Sequence, residues 1–166
     1  MMLNRVSFGS LVFLLANVLL SLSGACTRQS AGSPESYHPI EKYLSEEIDS
    51  LYLSDGKKVL FVIPVHGCQS CLDMIKQYAY TNEDPDVKFI YSVEHKRLVD
   101  LDILKLSRKR SDAVFMDFEN SAFRKGLVSD SPVVYFLSSG LMVDSVQLTP
   151  SIFAETINKV GTYLSH

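Results

Sequence analysis

The stretch "VLFVIPVHGCQSCLDMIKQY", residues 59–78, decides how this chain is read. It opens as a continuous apolar run, Val59 to Val65, interrupted by Pro64. A strand that is apolar on both faces belongs in the middle of a covered sheet. Pro64 fits at the strand's end, where a missing donor does no harm. From about Gln69 the pattern turns helical, with Leu72, Met74, Ile75, Tyr78 and Ala79 as apolar positions. Cys68 and Cys71 sit at the junction, and three readings compete: a redox couple, half of a metal site, or two core thiols. The carboxyl end of a strand and the amino end of a helix is where open α/β sheets place their sites.

Working outward, "PIEKYLSEEIDSLYLSDG" puts Ile40, Tyr43, Leu44, Ile48 and Leu51 on one helical face, with Pro39 in the first turn and Asp55-Gly56 as the stop. "VKFIYSV" is a second strand. "KRLVDLDILKLSRK" has helical spacing at Leu98, Leu101 and Leu104, with Ile103 beside them. "AVFMDF" is a third strand and "ENSAFRKGL" a short helix or turn. "SPVVYFLSSGLMVDSVQL" reads as a hairpin around Ser-Ser-Gly. In "TPSIFAETINKVGTYLS", Thr149 is placed to cap, Pro150 to take the first helical position, and Ile152, Phe153, Ile157, Val160, Tyr163 and Leu164 to supply the apolar side. Alternating strands and helices predict an α/β fold with a parallel sheet, and the hairpin adds an antiparallel edge.

The chain has 166 residues, 46% hydrophobic and 21% charged, which suits one globular domain over residues 39–166. Net charge is -3 and the basic residues are scattered, apart from Arg108, Lys109 and Arg110. A nucleic-acid partner is therefore not expected, since it needs a concentrated basic face. Residues 1–25 follow the plan of a secretory signal: Arg5, the apolar "LVFLLANVLLSL", then small residues. The apolar segment Leu11–Leu22 is short for a bilayer span. "LSGAC" resembles the lipobox of bacterial lipoproteins, which implies acylation of Cys26 and a mature protein beginning there. It departs from the commonest pattern in that Leu22 lies four residues before the cysteine. The other reading is a plain secretory signal that leaves Cys26 a free thiol. Residues 26–38, polar and carrying Gly, Ser and Pro, read as a flexible tether to the membrane. With three cysteines in all, lipidation of Cys26 leaves Cys68 and Cys71 as a pair in an exported chain. A CxxC closes too small a loop to stabilise much through chain entropy, so its value is chemical.

From about Lys57 to its end the chain resembles the thioredoxin superfamily, in the form of the membrane-tethered TlpA-type thiol-disulfide oxidoreductases. Three features carry the resemblance: Cys68-Gln69-Ser70-Cys71 at the strand–helix junction, the run "VFMDFENSAFRKGLVSDSPVVYFLSSGLMVDS", and Ser131-Pro132, which falls where the family has a cis-proline facing the CxxC. The resemblance implies a thioredoxin-like fold, a central mixed sheet flanked by helices with the strand–helix insertion shared by peroxiredoxins and TlpA-type proteins. It implies no cofactor and no metal. Its partners are protein thiols or disulfides and a redox partner protein, met in the periplasm or extracytoplasmic space beside a bacterial membrane. Ser131 and Pro132 would bind substrate, the cis bond exposing the backbone of Ser131. The chain departs from the family in having Gly67 where Trp usually precedes the first cysteine, no Trp anywhere, no buried acid near Val62, and Ser131 in place of the commoner Thr.

A thiolate, not a thiol, attacks a disulfide. Cys68 stands at a helix amino terminus, where free N–H groups and the helix dipole favour negative charge. Cys71, one turn later, can reach back to resolve a mixed disulfide. His66 could support the thiolate, complete a metal site, or simply be a loop residue; His95 reads as a surface residue at a helix start. Asp73, Asp117 and Glu119 read as caps or solvated charges. A copper chaperone of the Sco type, a peroxidase and a non-catalytic adaptor that keeps the fold are the competing functions. The Sco-type spacing is longer and uses a late histidine, zinc would need a second ligand pair, and "PVHGC" is a poor match to a peroxidatic loop.

Overall fold

The computed structural model describes residues 38–48 and 55–166. The expected signal peptide, Cys26, all of the tether except His38, and Leu51 lie outside the described residues. No described helix is long and apolar enough to cross a membrane.

Helix α1 (Pro39–Glu47) starts on His38, whose Nδ1 accepts from the Ile40 amide while the Glu41 carboxylate accepts from the His38 amide at 3.2 Å. Glu41 also accepts from the Met142 amide at 3.0 Å, which ties the helix to the sheet edge. The helix is shorter than its apolar spacing suggested: Ile48 is already extended. A β-branched residue followed by Asp49 and Ser50 is a poor helix continuation.

Five strands follow: β1 (Lys57–Pro64), β2 (Val87–Ser92), β3 (Val114–Asp117), β4 (Val133–Ser138) and β5 (Leu141–Gln147). They form one sheet in the order β3-β2-β1-β4-β5. β1, β2 and β3 are parallel, while β4 is antiparallel to both β1 and β5. Between them run α2 (Gln69–Thr81), α3 (Leu101–Lys109) and α4 (Ser121–Arg124), and α5 (Phe153–Leu164) ends the chain. The path β1–α2–β2, then α4–β4–β5–α5, is the thioredoxin-like fold, with α3 and β3 inserted into it as an extra helix and edge strand.

β1 is the middle strand, and its side chains alternate between two cores. Val59, Phe61 and Ile63 face Leu72, Ile75 and Ala79 of α2, Ile103 and Leu106 of α3, and Val160 of α5. Leu60 and Val62 face Ile40, Tyr43 and Leu44 of α1 and Ala122 of α4. Phe61 stacks on Phe89 at 5.0 Å and meets Tyr78 at 5.6 Å, which seats α2 on the sheet. A fully buried Leu or Ile side chain contributes about 1.5–3 kcal/mol, so Leu72 and Ile75 are the main anchors of the helix that follows the cysteines.

Two further local expectations change here. The chain makes a 3-10 turn at Lys96–Leu98, and α3 begins afresh at Asp100, whose carboxylate accepts from the Asp102 amide at 2.9 Å. The restart shifts the helical phase: Ile103 and Leu106 are buried, whereas Leu101 is 70% exposed. Thr149 does not cap the last helix; its hydroxyl lies 2.9 Å from that of Ser151, and a 3-10 turn at Pro150–Ile152 intervenes before α5. The hairpin forms as expected, with Ser139 and Gly140 both at positive φ (49° and 80°), as a two-residue turn with that twist requires.

Candidate active site

The last residues of β1 and the first of α2 are joined by Val65–Cys68. Cys68 is the N-cap of α2, with extended backbone at φ -61° and ψ 104°. That position usually carries an oxygen side chain accepting from the amides of the first turn. Here the Cys68 sulfur takes that place: the Cys71 amide donates to it at 3.4 Å, and the Ser70 hydroxyl lies 3.3 Å away. The Cys68 carbonyl accepts from the Leu72 amide at 2.9 Å and starts the helical ladder. Cys71, one turn on, is buried, with its thiol 3.9 Å from the Leu148 carbonyl. Both cysteines are free thiols.

The environments push the two thiols apart. The Cys71 thiol, the Ser70 hydroxyl and the Cys71 amide all favour a Cys68 thiolate and draw its pKa below the ordinary value. Burial first, then the bond to Cys68 and the charge there, together raise the Cys71 thiol to about 11. One sulfur is accessible and disposed to ionise; the other is shielded and held protonated.

The loop before β4 lies against this turn. The Cys68 amide donates to the Asp130 carbonyl at 3.1 Å, and the Pro132 carbonyl accepts from the Leu148 amide at 2.7 Å. The loop expected to face the CxxC meets it through Asp130, a residue that no sequence signal singles out. The expected cis bond at Ser131–Pro132 is not found: among the described residues every peptide bond is trans. The intrinsic preference between isomers before proline is small, so the sequence Ser-Pro alone does not set it.

The other sequence candidates divide clearly. The His66 ring turns to Glu94, with Nδ1 3.7 Å from the carboxylate, and packs against Phe123 at 5.8 Å between ring centres. Asp117 accepts from the Ser121 and Ala122 amides at 3.0 and 2.8 Å and serves as the cap of α4. Asp73 pairs with Lys76 at 2.9 Å. His95 is exposed ahead of the Lys96–Leu98 turn. Among the described residues no three His, Cys, Asp or Glu side chains are placed to hold a metal ion.

The molecule is thus a thioredoxin-like α/β domain with a dithiol at the start of the helix that follows its central strand. No family model matches the chain, and no curated protein sequence is detectably similar to it. Among solved structures it is similar to a secreted disulfide oxidoreductase of Mycobacterium tuberculosis homologous to E. coli DsbE, at 15% identity over 70% of this chain and 86% of that one, with a TM-score of 0.47. It is also similar to MTB dsbF, at 19% identity over 67% and 83% of the two chains and a TM-score of 0.45. At that level of identity and superposition the likeness adds nothing about activity to what the strand order and the site geometry say.

Proposed function

We propose that this protein is an exported thiol-disulfide oxidoreductase, anchored by lipid on Cys26, that exchanges disulfides with protein substrates through Cys68 and Cys71. The observation that carries the reading is the asymmetry of the dithiol: an accessible sulfur accepting from the first turn of α2, with a buried thiol one turn behind it.

In the reducing direction the Cys68 thiolate attacks one sulfur of a substrate disulfide. The S–S bond breaks, one substrate thiolate leaves, and a mixed disulfide joins Cys68 to the other substrate sulfur. Cys71 then loses its proton, attacks the Cys68 sulfur and expels the second substrate thiolate. The substrate gains two electrons and two protons, and Cys68–Cys71 becomes a disulfide, which a dithiol partner protein must reduce again. The oxidising direction is the same sequence reversed. Once Cys68 is tied up in the mixed disulfide its negative charge is gone. Cys71 is then released from the part of its elevated pKa that the neighbouring sulfur causes, while the part due to burial remains. Resolution is therefore easier in the intermediate than in the free dithiol. In this reading Ser131 and Pro132, on the loop that meets Cys68 through the Asp130 carbonyl, contact the bound substrate segment with the peptide bond between them trans.

The test is a trapping experiment in cells that make the full chain. Cys71→Ala should accumulate a reducible high-mass band on a non-reducing gel, because the mixed disulfide forms and is not resolved. Cys68→Ala should give none. Bands in neither variant, together with no reduction of insulin by the wild-type protein, would replace this reading with that of a non-catalytic adaptor.

A further inference from the structure

Gly67, the residue immediately before the nucleophile, stands in a gap with no room for a side chain. A Cβ built there would lie 2.2 Å from the Asp130 carbonyl oxygen, 3.0 Å from its carbon and 2.9 Å from Cγ of Pro64. Two of these three neighbours are backbone atoms, and contacts that short do not occur in folded chains, so something would have to move. Neither wall is free to do so. Pro64 is the last residue of β1 and is held in register opposite Ser92. The Asp130 segment is held on both sides: Tyr135 donates its hydroxyl to the Leu127 carbonyl at 2.5 Å, and Leu148 donates its amide to the Pro132 carbonyl at 2.7 Å. The part left to yield is the turn that carries Cys68. That turn has two anchors, the Gly67 amide on the Pro64 carbonyl at 3.3 Å and the Cys68 amide on the Asp130 carbonyl at 3.1 Å.

We propose that Gly67 is a positioning residue for the nucleophile: its bare Cα lets the 64–68 turn close onto the Asp130 carbonyl, and that contact holds Cys68 so that its sulfur accepts from the first turn of α2. The inference rests on Cys68 being the attacking thiol. A side chain at 67 separates the turn from the loop, frees the Cys68 backbone and weakens the bond from the Cys71 amide to the sulfur. The thiolate then loses stabilisation. Because the reduced form is the one that carries the thiolate, the dithiol also becomes a stronger reductant.

The experiment compares reduced wild-type protein, Gly67→Ala and Gly161→Ala. Gly161 lies in α5, where an added Cβ meets nothing within 4 Å. The readouts are the pH midpoint of Cys68 alkylation by iodoacetamide, the Cys68–Cys71 reduction potential against glutathione, and hydrogen exchange at the Cys68 amide. In Gly67→Ala the midpoint should rise, with a loss of thiolate on the order of threefold below it, as for one weakened hydrogen bond. The potential should become more negative, and the Cys68 amide should lose protection. Gly161→Ala should match the wild type in all three. A folded Gly67→Ala with the wild-type midpoint and potential would overturn the proposal. If Gly67→Ala does not fold, wild-type exchange decides: a protected Cys68 amide supports the contact, and one exchanging as fast as an open loop overturns it. Failure of the functional reading looks different, since a wild-type protein that reduces no disulfide would still report the alkylation midpoint.

Discussion

Replacing Cys71 with alanine should change the chemistry of Cys68 before any substrate arrives. The Cys71 thiol is the foremost of the groups that draw the Cys68 pKa down, ahead of the Ser70 hydroxyl and the Cys71 amide. Cys71→Ala removes the first and keeps the other two. A hydrogen bond to a charged, partly exposed sulfur contributes about 1 kcal/mol after allowance for solvent, and one pKa unit corresponds to about 1.4 kcal/mol. Loss of a donor to the thiolate favours the protonated form, so the Cys68 midpoint should rise and the thiolate fraction below it should fall severalfold. The rate well below the midpoint should fall by less than that shift implies. A thiolate of higher pKa is more nucleophilic, which returns nearly half of the logarithm, so the fall is roughly two- to threefold. The assay is alkylation of the reduced protein between pH 5 and 10, followed by intact mass. Ser70→Ala should move the midpoint in the same direction. In Cys68→Ala, Cys71 should titrate below about 11, because the contribution of Cys68 is gone, yet above an ordinary thiol, because burial remains. A Cys71→Ala midpoint at or below that of the wild type would refute the account of how Cys68 is activated.

Asp100→Ala should destabilise the protein by about 1 kcal/mol through loss of the α3 cap, which also removes the carboxylate paired with Lys76 at 3.0 Å. The Asp100 pKa is lowered by the Asp102 amide first and by Lys76 second. Its contribution is therefore complete above the ordinary aspartate value and is lost as pH falls through the depressed one, so urea midpoints of variant and wild type should converge in acid. Ile75→Ala, at a fully buried position of α2, should cost about 2–5 kcal/mol in a denaturant titration. The Cys68 alkylation midpoint should stay put in the variant while it is folded, which separates helix packing from thiol chemistry. Cys26→Ser should abolish incorporation of labelled palmitate and release the protein from the membrane fraction; a wild-type chain that keeps residues 1–25 would end the lipid-anchor proposal.

The order of elements and the place of the dithiol were legible in the pattern of apolar residues. The reason is local: a short, β-branched-rich apolar run bounded by Gly56 and Pro64 reads as a strand covered on both faces, and the 3.6-residue spacing after Gln69 reads as a helix packed along one side. β1 in the middle of the sheet and Cys68 at the start of α2 follow from these two patterns, as does the hairpin from Ser-Ser-Gly. What the pattern could not carry was phase and contact across the chain. Leu101 fits the spacing of Leu98 and Leu104 better than Ile103 does, yet after the new start at Asp100 it is Ile103 that is buried and Leu101 that is exposed. Asp130 is ordinary as a letter, yet its carbonyl receives the Cys68 amide because β4 runs antiparallel beside β1 and brings residues 62 and 133 into register. Gly67 likewise reads as a departure from a family pattern until the Asp130 backbone is seen 2.2 Å from where its Cβ would be. These contacts join residues more than 60 positions apart, and a main-chain carbonyl leaves no trace in the identity of the residue that bears it.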